Sequence, residues 1–132
     1  MMKIKNSVGW AGFLGASSVL VLALAAHALE AKLEAEQLNA VKTAGQIQLF
    51  HALALLSLSG LSEQFAMIFE KAMKLMLYGT IMFSFSIYLI VLKNTPGLEF
   101  FRFLWPVTPI GGLVLILSWV SIIVQSRKIG KP

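Results

Sequence analysis

The sequence predicts an all-α integral membrane protein: a four-helix bundle with a short amphipathic connecting helix between spans 1 and 2. Three observations carry this expectation. Of 132 residues, 58% are hydrophobic and 13% are charged, whereas soluble domains carry roughly 25% charged residues. The mean hydropathy is +0.80. The apolar residues gather into runs near the ~17–25 residues that a helix needs to cross a bilayer, with polar connections between them. The chain has room for a single transmembrane domain, residues 1–132, and for no large soluble one.

Each element follows in order. Lys3 and Lys5 precede an apolar run from about Val8 to Leu29. Ala26-His27-Ala28 resembles a signal-peptidase site, but the run exceeds the ~7–15 residues of a signal peptide's apolar core. It is therefore expected to be retained as the first span, 8–29. Gly12, Ala16, Ala23 and Ala26 recur along it at helical spacing, and such small-residue faces let helices approach closely. Residues 30–44 are polar, lack Pro and Gly, and carry Leu33, Leu38 and Val41 roughly on one side. This pattern predicts a short amphipathic helix on the membrane surface, or else a solvated hairpin connection.

The second span is expected at 45–61. Gln48 and His51 are three residues apart and so share a face, and Gly60 marks the end. The charged stretch Glu63 to Lys74 is expected to continue as helix into the third span, 75–92. Thr80, Ser84 and Tyr88 fall there at i, i+4 and i+8, a polar stripe expected to face the bundle. Ser and Thr can alternatively bond their own helix carbonyls. Asn94-Thr95-Pro96-Gly97 is a turn signal. Phe100, Phe101, Phe103 and Trp105, with Arg102 among them, suit a membrane–water interface. The fourth span, 107–124, opens on Thr108-Pro109, where Pro is tolerated in a first helical turn. A basic tail follows it.

Four spans put both termini on one side. Lys3, Lys5, Lys71, Lys74, Arg127, Lys128 and Lys131 fall on that side, and Lys32, Lys42, Lys93 and Arg102 on the other. The positive-inside rule then predicts cytoplasmic termini in a bacterial inner membrane, or matrix-facing ones in a mitochondrial inner membrane. In this topology His27, Gln48, His51, Tyr88 and Thr108 converge on the outer leaflet and form the candidate polar cluster. The two histidines head matching His-Ala-Leu tripeptides, 27–29 and 51–53. Polar groups at a span are costly, so they are expected to have a partner or a purpose.

Several function classes are disfavoured at this level. The chain has no Cys and no Asp, and its six Glu lie in the connections or at their edges. No nucleophile, base and acid can be assembled, so no enzyme activity is expected. Two histidines without a carboxylate or thiolate partner make a poor metal site, and no cofactor or metal is expected. The net charge of +5 reports topology and lipid attraction, with no nucleic-acid partner implied. A transporter would show polar or broken helices near the midplane, which here is apolar.

The segments AAHALEAKL (25–33), QLFHALALLSL (48–58), FSFSIYLIVL (83–92) and TPIGG (108–112), with Trp119, together resemble the domain of unknown function 423 family. These small membrane proteins include the animal transmembrane protein 256. The resemblance extends over all four spans and implies a four-span inner-membrane protein with no established reaction. Phe85 stands where family members commonly have Gly, and Ser118 replaces a Gly before Trp119. The expected role is a structural or accessory subunit in the lipid bilayer, packed against a larger membrane complex. The alternative is a binder of a quinone, lipid headgroup or haem at the His27, Gln48, His51, Tyr88, Thr108 cluster.

Overall fold

A computed structural model of the chain describes residues 4–61, 63–94 and 96–129. Lys3, Thr95 and Lys131, which enter the topology and turn expectations, lie outside these residues, as does Ser62. All regular structure among the described residues is helical. In order, the elements are α1 (Ile4–Ala26), α2 (Ala35–Ser59), α3 (Glu63–Ile68), α4 (Glu70–Thr80), a π-helical turn (Ile81–Phe85), α5 (Ser86–Val91), two short 3₁₀ segments (Leu92–Asn94 and Glu99–Leu104) and α6 (Val107–Ser126). The run from Glu70 to Asn94 is helical throughout. Gly97 has φ 84°, as the turn signal around it anticipates.

The expected amphipathic helix between the first two spans is not a separate element. Residues 27–33 form turns, and α2 then runs unbroken from Ala35 to Ser59. Its start is built by Glu34 and Gln37: the backbone N–H of Glu34 donates to Gln37 Oε1 at 3.2 Å. The expected break at Gly45 does not occur, because Gly45 serves packing instead. A Cβ there would lie 2.8 Å from Leu22 Cδ2, so the missing side chain is what admits α1. Residues 35–44 thus belong to the same helix as the expected span 45–61.

α1 and α2 pack antiparallel, with Leu14 and Ser17 beside Gln48 and Ser18 beside Gly45. α4 packs along α6, where backbones come close. A Cβ on Gly111 would stand 2.5 Å from Phe83 N, and one on Gly79 would stand 3.0 Å from Leu115 N. The surface is apolar: Leu20, Phe50, Leu113 and Ile123 are each 60–63% exposed. The interior mixes Leu14, Leu55, Met73 and Met76 with buried Ser18, Gln48, Thr80, Ser84 and Ser118. Long apolar side chains outside and small polar ones inside suit lipid as the solvent, since polar groups there need partners within the protein.

Among the described residues, three helical segments are long and apolar enough to cross a membrane: Asn6–Ala26, Glu70–Asn94 and Glu99–Ser126. α2 matches them in length at 25 residues, but Lys42, Gln46, Gln48 and His51 dilute its apolar character.

Candidate functional site

The middle of α2 is tied by hydrogen bonds to the other long helices. Ser84 Oγ donates to Ala44 O at 3.0 Å, and Ser18 Oγ donates to Gly45 O at 2.9 Å. Two helices thereby reach the backbone of α2 at neighbouring residues. One turn further on, Gln48 is fully buried. Its Nε2 donates to Leu14 O at 2.8 Å and to Ser17 Oγ at 2.7 Å, while its Oε1 accepts from the Tyr88 hydroxyl at 2.8 Å. A primary amide has two N–H donors and a carbonyl acceptor, and all three functions are used.

His51 sits one turn beyond, on a different flank. Its Nδ1 is 2.7 Å from Ile47 O, and Trp119 Nε1 lies 3.1 Å from its Nε2. Indole N–H can only donate, so Nε2 accepts. Nδ1 therefore carries the proton and donates to the carbonyl. The ring is the neutral imidazole with both nitrogens engaged. The two rings meet edge-on, 6.0 Å apart at 67°.

Tyr88 is steered toward Gln48 by its aromatic neighbours. Its ring meets Phe85 edge-on at 5.7 Å, and Phe85 stacks on Phe13 of α1 at 6.5 Å. The π-helical turn precedes it. Such turns add a residue to the repeat, so Ser84 and Tyr88 face α2 while Ser86 faces α6. Ser86 Oγ lies 3.0 Å from Phe83 O and 2.7 Å from Thr108 Oγ1. Since Ser86 donates its one proton to the carbonyl, Thr108 is the donor of the pair. Thr80 instead bonds back to Met76 O of its own helix at 2.7 Å. Of the expected polar stripe, then, Ser84 and Tyr88 reach α2 and Thr80 does not.

The five candidate residues therefore separate. Gln48 and Tyr88 are in direct contact. His51 joins Trp119, and Thr108 joins Ser86. His27 lies just past the end of α1, exposed, and no side chain among the described residues hydrogen-bonds its ring. The matching tripeptides occupy unlike places because α1 ends at Ala26, before its histidine, whereas α2 carries His51 well inside. The position along the helix also differs from that expected. Gln48 and His51 sit near the middle of α2, and their partners Leu14, Ser17 and Trp119 lie well inside α1 and α6. The early start of α2 is the reason.

Ser17 and Ser18 were not singled out from sequence, although a Ser pair within an apolar helix, opposite a Gln, is the signal that marks them. Leu14 contributes only its carbonyl and leaves no such signal. Among the described residues, no group of three or more His, Asp or Glu could hold a metal ion.

Residues 21–112 match a family described as protein of unknown function, DUF423. A UPF0382 membrane protein of Staphylococcus saprophyticus is 31% identical over 81% of this chain and 84% of its own length. The UPF0382 membrane protein YwdK of Bacillus subtilis is 31% identical over 87% of this chain and 94% of its own. The UPF0382 inner membrane protein YgdD of Escherichia coli is 28% identical over 91% and 88%. No solved structure matches.

Proposed function

The chain belongs to the DUF423 family of membrane proteins of unknown function, and from that premise we propose that it is a non-catalytic, accessory subunit of a larger membrane assembly. The supporting observation is how its polar and small residues are distributed. The donors and acceptors of the Gln48, Tyr88, His51 and Trp119 network are engaged with one another or with the backbone. They hold helices together and leave neither His51 nitrogen free for a haem iron or metal. The outward face of α1, by contrast, is open: a Cβ on Gly9 or Gly12 would meet nothing within 4 Å, and Ala16 and Ala23 continue this exposed small-residue face. A partner helix can approach closely along such a face.

In this reading α2 is a fourth span. It crosses the bilayer despite the buried Gln48 and His51 because α1, α5 and α6 supply hydrogen bonds to them, as lipid requires. The membrane is the bacterial inner membrane, as the name of the Escherichia coli relative states for that protein. The termini face the cytoplasm, with Lys71, Lys74, Arg127 and Lys128 at that end.

Mild-detergent purification of the full chain followed by mass spectrometry tests the assembly. A stoichiometric membrane partner that is lost on Gly12→Leu is expected, and recovery of the protein alone as a homogeneous monomer overturns the reading. The absence of native Cys makes single-Cys labelling a clean test of topology. A Cys at position 128 is expected to be protected from an impermeant reagent in intact cells, and one at position 100 labelled.

A further inference from the structure

Beyond the network at mid-helix, the end of the bundle near the start of α2 carries two adjoining depressions with opposite chemistry. One is a groove of about 380 Å³ whose polar lining includes Glu34, Glu36, Gln37, Lys93 and Asn94. The other is a smaller crevice of about 120 Å³, walled by Val21, Leu24, Leu33 and the ring of Tyr88 among others. Val91 lines both.

The charges in the groove lack ionic partners. Glu34, Glu36 and Lys93 make no ion pair with a described residue, whereas Lys74 and Glu70 pair at 2.9 Å elsewhere in the chain. The Glu34 carboxylate accepts the backbone N–H of Gln37 at the start of α2, which leaves its negative charge unneutralised. Two carboxylates and one ammonium side by side complement a group carrying a cation and an anion together. The crevice complements something different. Its one polar group, the Tyr88 hydroxyl, already donates to Gln48. A ligand carbonyl would find no donor there, and a hydrocarbon chain needs none.

We propose that these two depressions bind one zwitterionic phospholipid bearing a primary ammonium, with its ammonium at Glu34 and Glu36, its phosphate at Lys93 and Asn94, and an acyl chain in the crevice beside Tyr88 and Val91. An ammonium with N–H donors satisfies the carboxylates in a way that a trimethylated headgroup cannot. A headgroup that is purely anionic would meet two carboxylates against a single lysine. The inference is independent of the assembly reading above, because it concerns neither the small-residue face of α1 at Gly9 and Gly12 nor a protein partner.

Native mass spectrometry of the full chain tests it, using mixed micelles with equal amounts of phosphatidylethanolamine, phosphatidylcholine and phosphatidylglycerol. Phosphatidylethanolamine is expected to be retained over each of the others by about fivefold, roughly the worth of one charge at a membrane surface. Glu36→Gln and Lys93→Gln each alter an exposed side chain. Each is expected to erase that preference and leave the lipid-free thermal transition unchanged. Equal retention of all three lipids, preference for the anionic one, or a preference that survives both substitutions overturns the proposal.

Discussion

α2 and α6 are helices of similar length that solve the same problem by opposite means. α2, at 25 residues, buries Gln48 and His51 and is held through side-chain hydrogen bonds to three other helices. α6, at 20 residues, buries Gly111, Leu115 and Ser118 and is held by the close approach of backbones at Gly79 and Gly111. In lipid there is little hydrophobic drive to bring helices together, so association rests on packing and hydrogen bonds. α6 relies mainly on the first and α2 mainly on the second. α2 should therefore be sensitive to loss of polar atoms, and α6 to gain of a single methyl.

The largest test of that contrast is Gly111→Ala. The added Cβ would lie within 3 Å of three backbone atoms of Met82 and Phe83, which cannot swing aside as a side chain can. Overpacking is expected to destabilise the protein by about 3 kcal/mol, read as a lowered thermal transition in detergent. If Gly111→Ala is neutral, α6 does not depend on close backbone approach.

Gln48→Leu comes next. It keeps bulk but strands the Tyr88 hydroxyl and removes the donors to Ser17 and Leu14. An expected loss of about 2 kcal/mol follows from the cost of unsatisfied buried groups. Its partial reversal by adding Tyr88→Phe would identify the stranded hydroxyl as the cause.

A smaller effect is expected at His51 and Trp119. A double-mutant cycle with His51→Phe and Trp119→Phe should return a coupling of about 0.6 kcal/mol, the usual size for hydrogen bonds between membrane helices. Zero coupling would mean that α6 has no polar tie to α2, making the contrast between them complete.

The smallest effect has the opposite sign. Gly12→Ala meets nothing and replaces a poor helix former, so the isolated protein should gain about 0.5 kcal/mol. A destabilised isolated protein would show that this face of α1 is already covered.

These two helices also mark how far the sequence could be read. The start of α6 was legible because Pro109 fits only a first helical turn and a basic stretch follows the far end. The α2 start was not, because a glycine after a polar stretch reads as a boundary, and only the position of Leu22 reveals that it is a packing notch. The contact of Gln48 with Tyr88 could be foreseen as two polar faces of adjacent spans. The bond from Trp119 to His51 joins residues 68 apart in sequence, and nothing local to either announces it. The repeated His-Ala-Leu misled for the same reason: identical neighbours say nothing about whether a helix continues.

The π-helical turn at Ile81–Phe85 has a consequence for mutation by length. Each residue turns an α-helix by about 100°. The turn takes up one residue more than an α-helical turn would, so deleting one residue within it would restore ordinary winding and leave Tyr88 and Ser86 close to their present directions. The same deletion within α4 would put the residues on its two sides out of phase by about 100°, so that Gly79 and Tyr88 could no longer both meet their partners. The turn thus acts as a slot for one residue, and a one-residue deletion is expected to be tolerated there and damaging in α4.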